Sequence, residues 1–211
     1  MVNIYGINKS HLRFFSDAVF AVAITLLAVG IQVPQLDGDT FVSSKEFDEL
    51  SSTLVSYVVS FIIIGVYWIT YHSLFNMIGN RTTDVIVWLN IIFLMFIALV
   101  PFSLRLSEAY DDNFYAYTFY SLIQIATGIM LFSIWNYTVR NHLFSDEKKI
   151  NSDIKKLTYI RTIVIPIIFA ISLMISLYEV DLAWLFTVVF IPISISMRIV
   201  YRHHKELYLQ D

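Results

Sequence analysis

The stretch HLRFFSDAVFAVAITLLAVGIQVP, His11 to Pro34, limits what this chain can become more than any other part of it. From Phe14 to Val33 its only charge is Asp17. At about 1.5 Å per helical residue, such a run crosses the roughly 30 Å of bilayer hydrocarbon. A carboxylate just inside an apolar span is costly without a partner, which makes Ser16-Asp17 a candidate functional or structural site. Phe15, Ala18, Val22, Thr25, Leu26 and Val29 recur at steps of three and four, so they share one helix face. That face has branched aliphatics, one mid-depth hydroxyl and no further charge. Such a stripe suits a pore lining, and it suits ordinary helix packing.

Further apolar runs follow at about 50–75, 84–103, 114–139, 158–178 and 183–200. Together they predict an all-α polytopic membrane protein with six spans, residues 1–211 forming a single transmembrane domain. Charged residues make up 15% of the chain, against about 25% in globular proteins, and the mean hydropathy is +0.68. Pro166 and Pro192 fall inside the last two runs and Pro101 near the end of the third, which membrane helices tolerate when neighbours satisfy the freed carbonyls. Residues 38–50 read as a loop, and residues 140–157 as a short amphipathic connection. A cleaved signal peptide is not expected, because the first apolar run is too long and lacks a small-residue cleavage site. The absence of cysteine excludes disulfides, thiolate chemistry and cysteine-ligated metals.

Six spans alternate the sides of the loops, and the basic residues test that count. The N-terminus, residues 76–83, residues 140–161 and the tail from Arg198 together hold twelve of the fourteen Lys and Arg residues, leaving Lys45 and Arg105 on the other side. By the positive-inside rule both termini are expected in the cytoplasm. The opposite side collects Asp37, Asp39, Glu46, Asp48, Glu49, Glu108, Asp111, Asp112, Glu179 and Asp181. These acids either concentrate cations outside the membrane or are simply what the bias leaves there. No basic stripe with interleaved aromatics points to nucleic acid.

Enzyme signatures are missing from the sequence: it has no glycine-rich phosphate loop, no HExxH and no Gly-x-Ser-x-Gly elbow. The five histidines have no metal-ligand spacing, and there is no TVGYG filter loop. A selective pore would have to be built from helix side chains. On the first span, Phe15-Ser16-Asp17 followed by Ala23-Ile24-Thr25-Leu26-Leu27 resembles the Arg-x-x-x-Phe-Ser-Asp signature of the transmembrane protein 175 family, potassium-permeable channels of endosomes and lysosomes with prokaryotic members. Trp68 and His72 late in the second span, and Asp84, Trp88, Asn90 and Pro101 in the third, extend the resemblance; the last three spans match only in outline. The signature arginine is replaced by His11, with Arg13 two residues on.

The resemblance implies a homotetramer in the cell membrane, with four copies of the first helix around a potassium-permeable pore and no cofactor. It implies a constriction of aliphatic side chains at Val22, Leu26 and Val29, with Thr25 beside them as a transient potassium contact. It also implies a polar network tying the first helix to the second and third, built from His11 or Arg13, Ser16, Asp17, His72 and Asn90, in which His72 and Asn90 are candidate donors to the Asp17 carboxylate. Imidazole lacks the guanidinium fork, so either Arg13 takes over or the network is less tightly locked. Taken alone, the residues leave Thr25 free to bond back to a carbonyl three or four residues earlier. They also leave Asp17 free to be hydrated at the interface, and Trp68 and Trp88 free to serve as packing aromatics. A secondary transporter using Asp17 and the proline-bearing helices, or a non-conducting membrane scaffold, are the alternative functions.

Overall fold

The computed structural model describes residues 7–29, 31, 44–79, 82–110, 113–144 and 152–188, with side chains described from residue 50 onward in the second helix. Five helices, α1 (Lys9–Val29), α2 (Ser44–Met77), α3 (Asp84–Ala109), α4 (Phe114–Arg140) and α5 (Ser152–Ile175), are each long and apolar enough to cross a membrane. A further helix, α6, occupies 180–188. The remainder of the predicted sixth span, with Pro192, lies outside the described residues, as does most of the predicted loop at 38–50.

Helix bounds differ from the sequence reading at several points, and the first helix runs Lys9–Val29 where about 14–33 was expected. Helix α2 starts at Ser44, inside the segment read as a loop. Helix α3 runs on to Ala109, past Pro101, because Leu104, Arg105, Leu106, Glu108 and Ala109 are good helix formers and a proline affects only the carbonyl one turn before it. Helix α5 starts at Ser152, with Asp153 in its first turn, where a carboxylate favours the helix N-terminus. The predicted amphipathic connection is thus partly the first turns of α5; residues 145–151 lie outside the described residues.

Side chains cap at least three helix starts, the first being Asn8, whose Oδ1 accepts from the His11 N–H at the start of α1. Thr83 accepts from the Ile86 N–H, and Asn113 accepts from the N–H groups of Tyr115 and Ala116. The most extensive contacts are α3 with α4 and α4 with α5, while α1 packs on α3 and α2. Gly128 of α4 meets Pro166 of α5 so closely that a Cβ would lie 2.6 Å from the ring Cδ. At one end of this pair, Ser172 Oγ and Thr187 Oγ1 both donate to the Ala183 carbonyl and both bond to the Tyr117 hydroxyl, which joins α4, α5 and α6. At the opposite end, an isolated bridge pairs Ile78 with Phe144, and the Gly79 N–H donates to the Leu143 carbonyl at 3.0 Å. The turns after α2 and α4 are therefore joined at that end of the bundle. The core beside α1 is aromatic: Tyr71 stacks on Phe93 with ring centres 5.6 Å apart, and Phe20 sits 5.9 Å from both.

Candidate functional site

Helix α1 has two unlike faces. Leu12, Ser16, Phe20, Ala23 and Leu27 are buried against α2 and α3. The other face is bare in the protomer: Phe15 is 54% exposed, Val22 58%, Leu26 47% and Val29 79%, with Ala18 and Thr25 also exposed. The stripe read from the sequence is therefore the side of α1 that no part of the described protomer covers. Thr25 Oγ1 donates to the Val22 carbonyl at 2.8 Å, one turn back. That bond uses the hydroxyl proton and leaves the oxygen lone pairs free.

The polar residues of α1 meet α2 as an antiparallel ladder with a rung every turn. The Lys9 ammonium donates to the Ile78 carbonyl. The Arg13 guanidinium donates to Asn76 Oδ1 at 3.1 Å and faces both ring nitrogens of His72 at 3.2 Å. Guanidinium has no acceptor, so the imidazole nitrogen facing it accepts. Asp17 Oδ1 accepts from the Trp68 indole N–H at 2.8 Å. Residues 9, 13 and 17 on α1 are spaced by four, as are 68, 72 and 76 on α2; Asp17 meets Trp68, Arg13 meets both His72 and Asn76, and Lys9 reaches the Ile78 carbonyl just past the end of α2. The Trp68 and His72 rings lie 5.5 Å apart and close the ladder between its last two rungs.

Behind the ladder, Ser16 is a fully used hub. Its hydroxyl donates to the Leu12 carbonyl at 2.8 Å, which spends its one proton. It must then accept from the Tyr71 hydroxyl at 2.7 Å and from Asn90 Nδ2 at 3.0 Å. Ser16, Tyr71 and Asn90 are all buried, so α1, α2 and α3 are joined through one oxygen where water does not compete.

Several expected partners change. Asp17 takes its hydrogen bond from Trp68, not from His72 or Asn90, because Asn90 is one helix further back and His72 is turned toward Arg13. His11 is exposed and only its backbone N–H, donating to Asn8, takes part in a described bond. It lies on the far side of α1, and Arg13 makes the contacts to α2. Trp88 is 55% exposed and outside the network. Tyr71 and Asn76 were not anticipated. Asn76 follows from the spacing Trp68–His72–Asn76, and Tyr71 from the buried stripe Ile63, Tyr67, Tyr71, Leu74. At the other end of α1, Arg105 Nη2 donates to the Leu27 carbonyl at 3.0 Å, one of the terminal carbonyls a helix leaves open. Among the described residues no cluster of His, Asp or Glu could hold a metal ion.

Residues 11–101, which carry nearly all of α1, the Arg13 and Asp17 rungs, the hub and most of α3, match the family described as endosomal/lysosomal potassium channel TMEM175. A potassium channel of Streptomyces collinus is 33% identical over 158 residues, which cover 72% of this chain and 75% of that protein. A potassium channel of Chamaesiphon minutus is 32% identical over 132 residues, 60% of this chain and 64% of its own length. The endosomal/lysosomal proton channel TMEM175 of Gallus gallus is 29% identical over 140 residues, and this chain spans 28% of it. The crystal structure of a lysosomal potassium-selective channel TMEM175 homolog from Chamaesiphon minutus superposes with a TM-score of 0.68 over 90% of this chain and 96% of that one, at 24% identity, so the fold is shared. The chain belongs to the TMEM175 family, a family of ion channels and not of enzymes.

Proposed function

We propose that this chain conducts potassium passively across the cell membrane, through a pore enclosed by the first helices of four copies. The observation that carries the reading is the bare face of α1, with Val22, Leu26 and Val29 stacked at one-turn intervals and about half or more of each side chain exposed. One such stripe cannot enclose a path, whereas a closed cyclic assembly can. Membership in a channel family supports this arrangement over packing against lipid. The name of the Streptomyces relative supports potassium as the permeant ion.

In this arrangement the aliphatic layers form the constriction. A cation stripped of water gains nothing from methyl groups, so a ring of Val or Leu blocks when it is too narrow to stay wet. Thr25 presents oxygen lone pairs between two such layers and replaces part of the hydration shell as the ion passes. The ladder and the Ser16 hub hold α1 at a fixed rotation, so that the bare face turns toward the axis. Both termini lie in the cytoplasm, on the strength of the basic bias.

The test is bilayer recording with Val22→Asn, Leu26→Asn and Thr25→Val, together with native mass measurement. Asparagine in the constriction should raise resting conductance, and loss of the Thr25 hydroxyl should lower the preference for potassium over sodium in bi-ionic reversal potentials. Tetramers with unchanged conductance and reversal potential in all three variants would mean that the path runs elsewhere.

A further inference from the structure

A cavity of about 890 Å³ opens between the first part of α2, the end of α3 and the start of α6, at the end of the bundle opposite the ladder. Its size falls within the range of about 300–1,000 Å³ typical of small-molecule sites and far exceeds a bare ion. Its lining combines apolar side chains, Val55, Val59, Leu185 and Val188, with polar ones. Ser52, Thr53, Ser56 and Ser107 bring hydroxyls, Glu108 and Asp181 bring carboxylates, and Trp184 brings an aromatic surface. Ser107 is 5% exposed, and its hydroxyl makes no hydrogen bond among the described residues. Its oxygen opens into the cavity from an otherwise buried residue, where it is available to an occupant.

Charge and shape select the occupant. Arg105 offsets Glu108 at 3.6 Å, while Asp181 has no ion-pair partner among the described residues. The described charges here, two carboxylates and one guanidinium, therefore sum to one negative charge. Trp184 is held in place by Tyr120, stacked with ring centres 5.1 Å apart, and by the edge of Tyr117 at 5.4 Å. A fixed indole beside a net negative charge is the chemistry that binds alkylammonium groups, through the ring quadrupole and the carboxylate together. We infer that this cavity is a binding site for a monovalent alkylammonium group, held between Trp184 and the Asp181–Glu108 pair. The group is carried either by a small soluble cation or by the ethanolamine or choline headgroup of a phospholipid, since the cavity sits at the end of the spans. The site is formed within one protomer, so it stands or falls independently of the pore reading.

The experiment uses the full chain in two settings. Tetramethylammonium chloride is titrated against protein in detergent, with sodium chloride at matched ionic strength as the reference, and binding is followed by isothermal titration calorimetry and the thermal midpoint. In parallel, protein in nanodiscs of phosphatidylglycerol alone is compared with nanodiscs containing phosphatidylethanolamine or phosphatidylcholine. Binding of tetramethylammonium by the wild type is expected to weaken about two- to fivefold in Asp181→Asn, the loss of one exposed ion pair. Trp184→Leu should weaken it about two- to thirtyfold, the range of a cation–π contact. Asp181 is exposed, so its variant folds normally even if Trp184→Leu does not. A response to tetramethylammonium assigns a soluble ligand. Retention of ethanolamine or choline lipids lost in Asp181→Asn assigns a headgroup. No response in either setting, or responses equal in wild type and Asp181→Asn, would overturn the assignment.

Discussion

Replacing Ser16 by alanine removes one oxygen but strands two donors, and this asymmetry can be measured. In the wild type the Ser16 hydroxyl donates to the Leu12 carbonyl and accepts from Tyr71 and Asn90. Ser16 and Asn90 are 0% exposed and Tyr71 1%, so water cannot replace the lost acceptor. Asn90 Oδ1 already lacks a partner, so the amide has no second bond to fall back on. Each stranded buried donor costs about 1–3 kcal/mol. Membrane proteins tend to the lower part of such ranges, because the unfolded chain in lipid also finds partners. Ser16→Ala is therefore expected to cost about 2–4 kcal/mol, or roughly 5–12 °C in the thermal midpoint of a chain this size. Tyr71→Phe breaks one of the same bonds but removes its own donor, leaving Ser16 with two bonds intact, and should cost about 0.5–1.5 kcal/mol. Unfolding in mixed micelles at equal protein concentration, followed by circular dichroism, gives both values. Concentration must be matched because any association of copies contributes to the midpoint. Equal losses for the two variants, or a smaller loss for Ser16→Ala, would refute the hub.

Asp17→Asn keeps an oxygen that can accept from Trp68, so it should cost under about 1 kcal/mol, while Asp17→Leu costs more; equal midpoints for both would show that charge, not the hydrogen bond, matters at this rung. Gly128→Ala places a methyl 2.6 Å from Pro166 Cδ, on a ring that cannot rotate away, and overpacking of this kind costs about 1–3 kcal/mol. Adding Pro166→Ala should recover part of that loss, and a strictly additive double variant would place the strain elsewhere. Cysteines at His11 and Tyr115, both exposed, should react with a membrane-impermeant maleimide from opposite sides of sealed vesicles; reaction of both from the same side would refute the three spans expected between them.

The sequence made the apolar helices visible, because five of them carry runs long and apolar enough to cross a bilayer. It also made the bare face of α1 visible, since a three-and-four spacing is a property of one helix alone. Pairings between helices were less legible. Asp17 could have met any donor at its depth, and only the rotation of α2 decides that Trp68, one turn from His72, reaches it. The part played by Arg13 was open between two readings because a two-residue shift on a helix turns a side chain through more than half a circle, and the facing partner was unknown. Tyr71 was passed over because its ring reads as core. Its hydroxyl matters only because Ser16 sits opposite, a fact no local pattern contains. The early start of α2 was hidden by Ser, Glu and Asp residues that resemble a loop but are also the usual composition of a helix N-terminus.

The attachments of α1 are unevenly distributed along its length. Its first nine residues hold Lys9, Arg13, Ser16 and Asp17, each hydrogen-bonded to α2, α3 or the turn after α2, while beyond Asp17 the single described side-chain hydrogen bond to those elements is the donation from Arg105 to Leu27. Mechanically, α1 resembles a rod clamped firmly at one end and pinned lightly at the other. A sideways load on such a rod produces its largest deflection away from the clamp. If α1 moves to widen a pore, Leu26 and Val29 travel further than Val22, and the layer nearest the clamp is the last to open. The Arg105–Leu27 bond then sets the stiffness of the free end, so Arg105→Met should make Leu26 and Val29 more mobile while Val22 stays as it was, a difference that site-directed spin labels at the three positions can resolve.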